Sequence, residues 1–353
     1  MALTRVSGRP VTDLGFVNPS VRSAEEDAVL RRTFVTSSTT AAAAAVVPML
    51  AARPSVGATD VHRLQEHAAR LTALDDQHGG HEAVESRALD AARKALALQD
   101  KTASERTRAR LYSLAAGCVA SAAWSCIDAR APERAQQHLE RAMTLAGLAR
   151  DSRTQFRVWG FMSMLADQRG EYINELAAAQ ASLATGAARR DPLLASLAHA
   201  RIALGHARLG EHQAAERSTG YAEAALAKAP DIPRPTWIAF YGRGELDGLT
   251  AVTLANVGHH EKAEALFYKC VAALRPDQHR NRALYLGHIA TEQLAQGEAR
   301  AAVDTALDVI ALPTASVGRT RYLMNRFTTA LESAAPGSNA ARLWADRPRT
   351  AIA

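Results

Sequence analysis

A glycine-centred turn recurs along this chain and limits what it can fold into. It appears as His78-Gly79-Gly80-His81-Glu82, Arg169-Gly170-Glu171-Tyr172, Leu209-Gly210-Glu211-His212, Val257-Gly258-His259-His260-Glu261 and Gln296-Gly297-Glu298-Ala299. The last four glycines are separated by 40, 48 and 39 residues, and each lies between two Ala/Leu-rich stretches of helical length. Glycine takes the left-handed conformation that ends one helix, and the polar residue behind it starts the next, so each unit reads as a helix hairpin. A single hairpin cannot bury its own apolar face. Stacked hairpins can, and stacking leaves an extended concave surface suited to binding another molecule.

The periodicity predicts an all-α fold, an α-solenoid of about six helical hairpins plus capping helices. Apolar residues make up 48% of the 353 positions and aromatics only 5%, so the core is built mainly from alanine and leucine. Small side chains let helices approach to about 8 Å, and alanine has the best helix propensity. The expected pairs are 60–77 with 82–98, 104–128 with 132–149, 152–168 with 171–187, 193–208 with 211–227, 236–256 with 261–274, and 281–295 with 298–311. Helices at 318–334 and 340–345 cap the stack. Asp60 is a plausible N-cap, Pro132 suits a first helical turn, and Ala129-Arg130-Ala131 replaces the glycine turn of the second unit. Three segments follow: 1–58 as a linker or tail with the Arg-Arg-x-Phe and Ala-rich stretches, 59–335 as the array, and 336–353 as a short helix and tail.

The formal net charge is +6, from 37 Arg and 5 Lys against 36 acids. These cations are interspersed with Asp and Glu along every helix, which marks a solvated surface rather than a nucleic-acid patch. Cys118 and Cys126 are eight residues apart on one helix, about 12 Å at 1.5 Å per residue, too far for a bridge. Cys270 sits at an apolar-periodic position, and all three suit a reducing compartment. Arg31-Arg32-Thr33-Phe34, followed by the apolar run at 39–52, has features of a twin-arginine export signal. Pro48 interrupts the run and no Ala-x-Ala site follows, which favours a linker helix and a cytoplasmic protein. No stretch reaches the ~18–20 apolar residues of a membrane span.

No Gly-x-Ser-x-Gly elbow, phosphate-cradling loop, Cys-x-x-Cys or His-Glu-x-x-His occurs, so neither an enzyme nor a resident cofactor is expected. The twelve histidines lie mostly in turns or on mixed faces, and no metal site is expected from them.

Aligned on the turn glycines, the units resemble tetratricopeptide repeats stretched to about 40 residues. Trp159 falls at the family's aromatic position, and Ser163, Ala203, Ala251 and Ala290 at its small position. After Gly258 come Ala263, Phe267, Cys270 and Pro276, much as the family orders them, whereas Gln136, Glu175 and Val303 depart from its alanine. A second resemblance is carried by Val6-Ser7-Gly8-Arg9-Pro10-Val11-Thr12-Asp13-Leu14-Gly15-Phe16, by Arg31-Arg32-Thr33-Phe34, by Val56-Gly57-Ala58-Thr59-Asp60-Val61 and by Leu74-Asp75-Asp76-Gln77-His78-Gly79-Gly80. These are similar to the end of the helix-turn-helix domain, the linker and the array opening of a large group of actinobacterial transcription regulators. About 16 residues precede and include Phe16, too few for a recognition helix and its support. The resemblance therefore implies the sensor half of a regulator, without direct DNA binding by this chain.

In the repeat family the first helix of each unit lines the concave side. That places Trp124, Arg157, Asp167, Glu245, Asn256 and Thr291 as candidate contacts for a peptide, a small signal molecule or a protein partner. Arg and Asn can hold an extended peptide's carboxylate and amides. A homodimer is compatible with the array, and the alternatives are a constitutive interaction scaffold or an accessory protein to a biosynthetic enzyme.

Overall fold

A computed structural model describes residues 56–57, 59–64, 66, 82–275, 278–312 and 318–347. The chain divides into two units, Met1–Ala52 and Arg53–Ala353, and every described residue lies in the second. The expected linker and Arg-Arg segment, the His78–His81 turn, Pro276 and Pro313 lie outside the described residues.

The fold is all-α, with no strand among the described residues. Residues 59–64 are helical, and Asp60 accepts the Gly57 amide at 3.1 Å. The helices that follow are α1 Glu82–Ala97, α2 Glu105–Asp128, α3 Pro132–Leu148, α4 Ser152–Arg169, α5 Tyr172–Leu183, α6 Pro192–Arg208 and α7 His212–Ala227. After them come α8 Arg243–Asn256, α9 His260–Ala273, α10 His279–Ala295, α11 Ala299–Ile310, α12 Gly318–Ala334 and α13 Asn339–Ala345. A 3-10 turn at Leu98–Asp100 extends α1.

The turn chemistry explains the boundaries. Gly170, Gly210, Gly258 and Gly297 have φ of 74°, 75°, 84° and 84°, the left-handed region that alanine enters only at a cost of about 1–2 kcal/mol. Arg130 and Arg150 do the same job at φ of 57° and 52°. Arg130 is held there by its guanidinium, which lies 3.5 Å from the centre of the Tyr322 ring and donates to the Gln168 carbonyl at 3.3 Å. Four helices start under side-chain caps, Ser104 on α2, Asp151 on α4, Asp191 on α6 and Ser338 on α13, each worth about 1 kcal/mol.

Two helices are shorter than their periodicity predicts. α8 begins at Arg243 rather than near Thr236, because Pro230, Pro233, Pro235, Gly242 and Gly244 crowd its approach. The loop still buries apolar side chains, Ile238 and Tyr241, with the Tyr241 hydroxyl 2.8 Å from Ser196 Oγ. α5 stops at Leu183, and a turn carrying the buried Ala187 and Ala188 leads into the Asp191 cap.

Consecutive helices pack against one another except α11 and α12, and in addition α2 packs on α4, α6 on α8, α10 on α12 and α11 on α13. The first member of each pair therefore touches the first member of the next, as close approach of alanine- and glycine-rich faces allows. The largest core cluster joins α1, α2, α3 and α4 through Ala95, Val119, Ile127, Leu139 and Leu165. At the other end Trp344 of α13 is buried edge-on against Phe327, ring centres 5.3 Å apart, and its indole N–H donates to Thr328 at 2.9 Å. By mean hydropathy and length α2 does reach the threshold for crossing a bilayer, against the sequence expectation; 67% of that window is buried in the fold, where its Ala, Cys and Val form core.

Candidate functional site

Each first helix carries a stripe of polar and aromatic residues at three- and four-residue spacing, and these stripes meet. On α2 it is Ser121, Trp124 and Asp128; on α4, Arg157, Phe161, Met164 and Asp167; on α6, Arg201 and Arg208. On α8 it is Glu245, on α10 Tyr285 and His288, and on α12 Arg319, Tyr322 and Arg326. Residues so spaced share one helix face.

The stripe is closed by a contact between the first and last of these helices. Asp128, at the C-terminus of α2, is 6% exposed and accepts from Arg319 Nε at 2.8 Å and from Arg280 Nη1 at 3.1 Å. The Arg319 guanidinium also lies 5.0 Å from the centre of the Trp124 ring. Gly318, which opens α12, packs on the Asp128 carbonyl so closely that an added Cβ would stand 2.3 Å from its oxygen. These residues are more than 150 positions apart in sequence.

Two further groups lie along the stripe. Arg208 Nη2 meets Asp167 Oδ1 at 2.8 Å, and Arg208 Nε faces Glu175 Oε2 at 3.5 Å without the geometry of a hydrogen bond. Burial, and then the neighbouring Asp167, push the Glu175 carboxyl up to about 8 despite Arg208. Burial raises Asp167 too, against the pull of Arg208, Arg130 and Arg326. In the other group the Tyr285 hydroxyl donates to Glu245 Oε2 at 3.1 Å, and burial raises the Glu245 carboxyl against that bond and against Arg319 and Arg201. His288 stacks flat on Phe267 at 4.9 Å; burial, then Arg319, Arg208 and Arg326, bring it down to about 4, so its imidazole is neutral at pH 7. Arg201 lies across Gly160, with Nη1 1.7 Å from where a Cβ would be, and its Nη2 donates to the Met164 sulfur at 3.6 Å. Burial lowers Arg201 to about 10, which leaves it charged at neutral pH. Among the stripe residues Arg157, Arg201, Arg208, Arg319 and Arg326 outnumber Asp128, Asp167 and Glu245.

Of the six sequence candidates, four meet in this face. Trp124 stacks on Phe161 at 5.5 Å, Arg157 donates to the Gly117 carbonyl at 3.3 Å and to Ser121 Oγ at 3.1 Å, and Asp167 and Glu245 pair as described. Thr291 and Asn256 instead donate to carbonyls of their own helices, Gly287 at 2.9 Å and Val252 at 2.8 Å, and Asn256 is exposed. No contact among the described residues joins either to the network. Sequence reasoning missed Arg201, Arg208, His288, Arg319 and Arg326. Arg208 stands two residues before Gly210, as Asn256 does before Gly258, so it is found when the register is extended to every unit; His288 has no counterpart among the candidate positions, and α12 has no turn glycine to count from.

Away from this face, Glu85 of α1, Cys126 of α2 and His138 of α3 bring one oxygen, one sulfur and one nitrogen within 4.8 Å of one another. No family model matches this chain, and no curated protein matches it.

Proposed function

We propose that the helix pairs form a tetratricopeptide-like superhelix whose inner face, the stripe of the first helices, binds an anionic guest, a peptide carboxylate or a small acidic signal molecule. The chain then acts as a sensor module related to transcription regulators, with no chemistry of its own and no DNA contact. One observation carries this reading: the face on which first helices meet is lined with arginines and aromatic rings rather than sealed with leucine. Burying charge costs several kcal/mol per ion unless it is well paired, and a purely structural seam gains more from apolar side chains. Arginine forks with adjacent Trp and Tyr rings match a carboxylate or phosphate on an organic body. The left-handed glycine turns and the packing of first helix on first helix support the repeat reading. The Arg31-Arg32-Thr33-Phe34 and array-opening motifs support the regulator relationship.

Signal transmission follows from the closure. A guest anion that engages Arg319 competes with Asp128 for the same guanidinium, so binding favours the form in which α12 and α2 are apart. The shift is limited by the guest's differential affinity for the two forms.

The test is native mass spectrometry of the full chain purified from its own cells, followed by titration with the mass identified. An acidic small molecule or peptide should be retained, and Arg326→Gln, which removes a charge from an exposed side chain, should weaken it about tenfold, the equivalent of 1.4 kcal/mol, with stability unchanged. Retention of a folded protein partner with no small ligand would instead favour a scaffold. Affinity independent of Arg326 and Arg208 would overturn the site.

A further inference from the structure

We propose that Glu85, Cys126 and His138 form a binding site for a zinc-class divalent cation that pins α1 to α2 and α3. The inference does not rest on the proposed binding face. Three donors of different chemistry converge from three helices: the carboxylate of Glu85, 8% exposed, the thiol of Cys126, 1% exposed, and the partly buried imidazole of His138. Their donor atoms lie within 4.8 Å of one another, and His138 Nε2 is 2.8 Å from Glu85 Oε1. Around tetrahedral zinc, bonds of about 2.0–2.3 Å place donors roughly 3.3–3.8 Å apart. Side-chain movements of about 1 Å or less convert one arrangement into the other.

The donor set selects the metal. Thiolate and imidazole together suit Zn2+ and disfavour Mg2+ and Ca2+, which take oxygen ligands. The outer shell has the form such sites use: Glu85 turns its second oxygen, Oε2, toward the Arg134 guanidinium at 3.6 Å, which orients the carboxylate with Oε1 toward His138. On binding, the S–Zn bond forms as the Cys126 thiol proton leaves to solvent; nothing is oxidised or reduced. With Zn2+, a thiolate, a carboxylate and a neutral imidazole, the centre has no net charge, and a water completes the fourth position. The three positions are 41 and 12 residues apart, a spacing that matches no local metal motif, so only the packing of α1 on α2 and α3 shows them as a set.

The test uses the full chain stripped with a chelator. Titration with Zn2+ alone should show one equivalent bound, and Co2+ should give the intense near-ultraviolet absorption of a cobalt thiolate. Cys126→Ala and His138→Ala should lower Zn2+ affinity about 100-fold or more, and Cys118→Ala/Cys270→Ala should leave the cobalt band intact. Circular dichroism checks folding, and Cys126→Ser and Glu85→Gln serve if the larger truncations unfold. Zinc binding without a cobalt thiolate band, or undiminished in a folded Cys126 variant, would overturn the proposal. So would no saturable binding by the folded wild-type chain, which would leave the Glu85–His138 hydrogen bond as a structural contact only.

Discussion

Replacing Gly318 by alanine tests whether the first and last of the inner helices hold each other. Two costs add. Gly318 has φ of 54°, where alanine costs about 1–2 kcal/mol. The new Cβ would also stand 2.3 Å from the Asp128 carbonyl oxygen, and because that atom is backbone at a helix end, relief requires α12 to withdraw by about 1 Å to ordinary contact. Arg319 is the next residue, and its 2.8 Å bond to Asp128 does not survive such a withdrawal at full strength. A charge-assisted hydrogen bond is worth about 1.5–3 kcal/mol, so the sum is about 3 kcal/mol, lost locally. Gly170→Ala is the control. Its φ is 74° with nothing near the added Cβ, so it loses the conformational part alone, about 1 kcal/mol. Repeat arrays need not unfold in one step, and native-state hydrogen exchange at α12 and the end of α2 is the appropriate measurement. Equal effects of the two substitutions, or unchanged protection of α12 in Gly318→Ala, would refute the closure.

Two further outcomes follow from the same packing. The Glu175 carboxyl stands at about 8 against an ordinary 4.5, so between those values the folded chain holds a proton that the unfolded chain has released, and stability falls as pH rises through that window. Glu175→Gln cannot ionise and should gain on the order of 2 kcal/mol over wild type at about pH 8.5, with little difference near pH 4.5; parallel denaturation curves at both pH values would exclude this. Trp344→Ala removes a buried indole, its Phe327 contact and its bond to Thr328. It should cost about 3–5 kcal/mol, largest at α11–α13 by hydrogen exchange, and an equal loss at α6, which has no contact with α13 among the packed helix pairs, would contradict this local role.

The local structure was legible because it is set by short-range chemistry. Left-handed glycines, Asp and Ser caps and a proline in the first turn each act within a few residues, and α3 and α4 begin at Pro132 and Ser152, where those signals place them. The 236–242 segment was misread because its apolar residues keep helical spacing while Pro235, Gly242 and Gly244 weaken the backbone preference; Ile238 and Tyr241 are buried from a loop instead. The site was legible in part. Trp124, Arg157, Asp167 and Glu245, named from the repeat family's register, do lie on one shared face. What they pair with could not be named that way, because Asp128 meets Arg280 and Arg319 across more than 150 residues, a separation that no local register spans.

The contact between α12 and α2 ties together the two ends of the shared face. The α12–α2 contact combines the Asp128–Arg319 ion pair, Gly318 against the Asp128 carbonyl, and two guanidinium–ring contacts, Arg319 on Trp124 and Arg130 on Tyr322. Loss of the Asp128–Arg319 bond removes a larger share of the closing interaction than the loss of any one apolar contact removes from a core of buried alanines. Arg319 is also the charge felt by Glu245, Tyr285 and His288, so an anion bound among those residues acts on the same guanidinium that keeps the ends together. Under the proposed function, guest occupancy and the α2–α12 contact are therefore competing uses of one side chain, and their coupling requires no relay through the intervening helices.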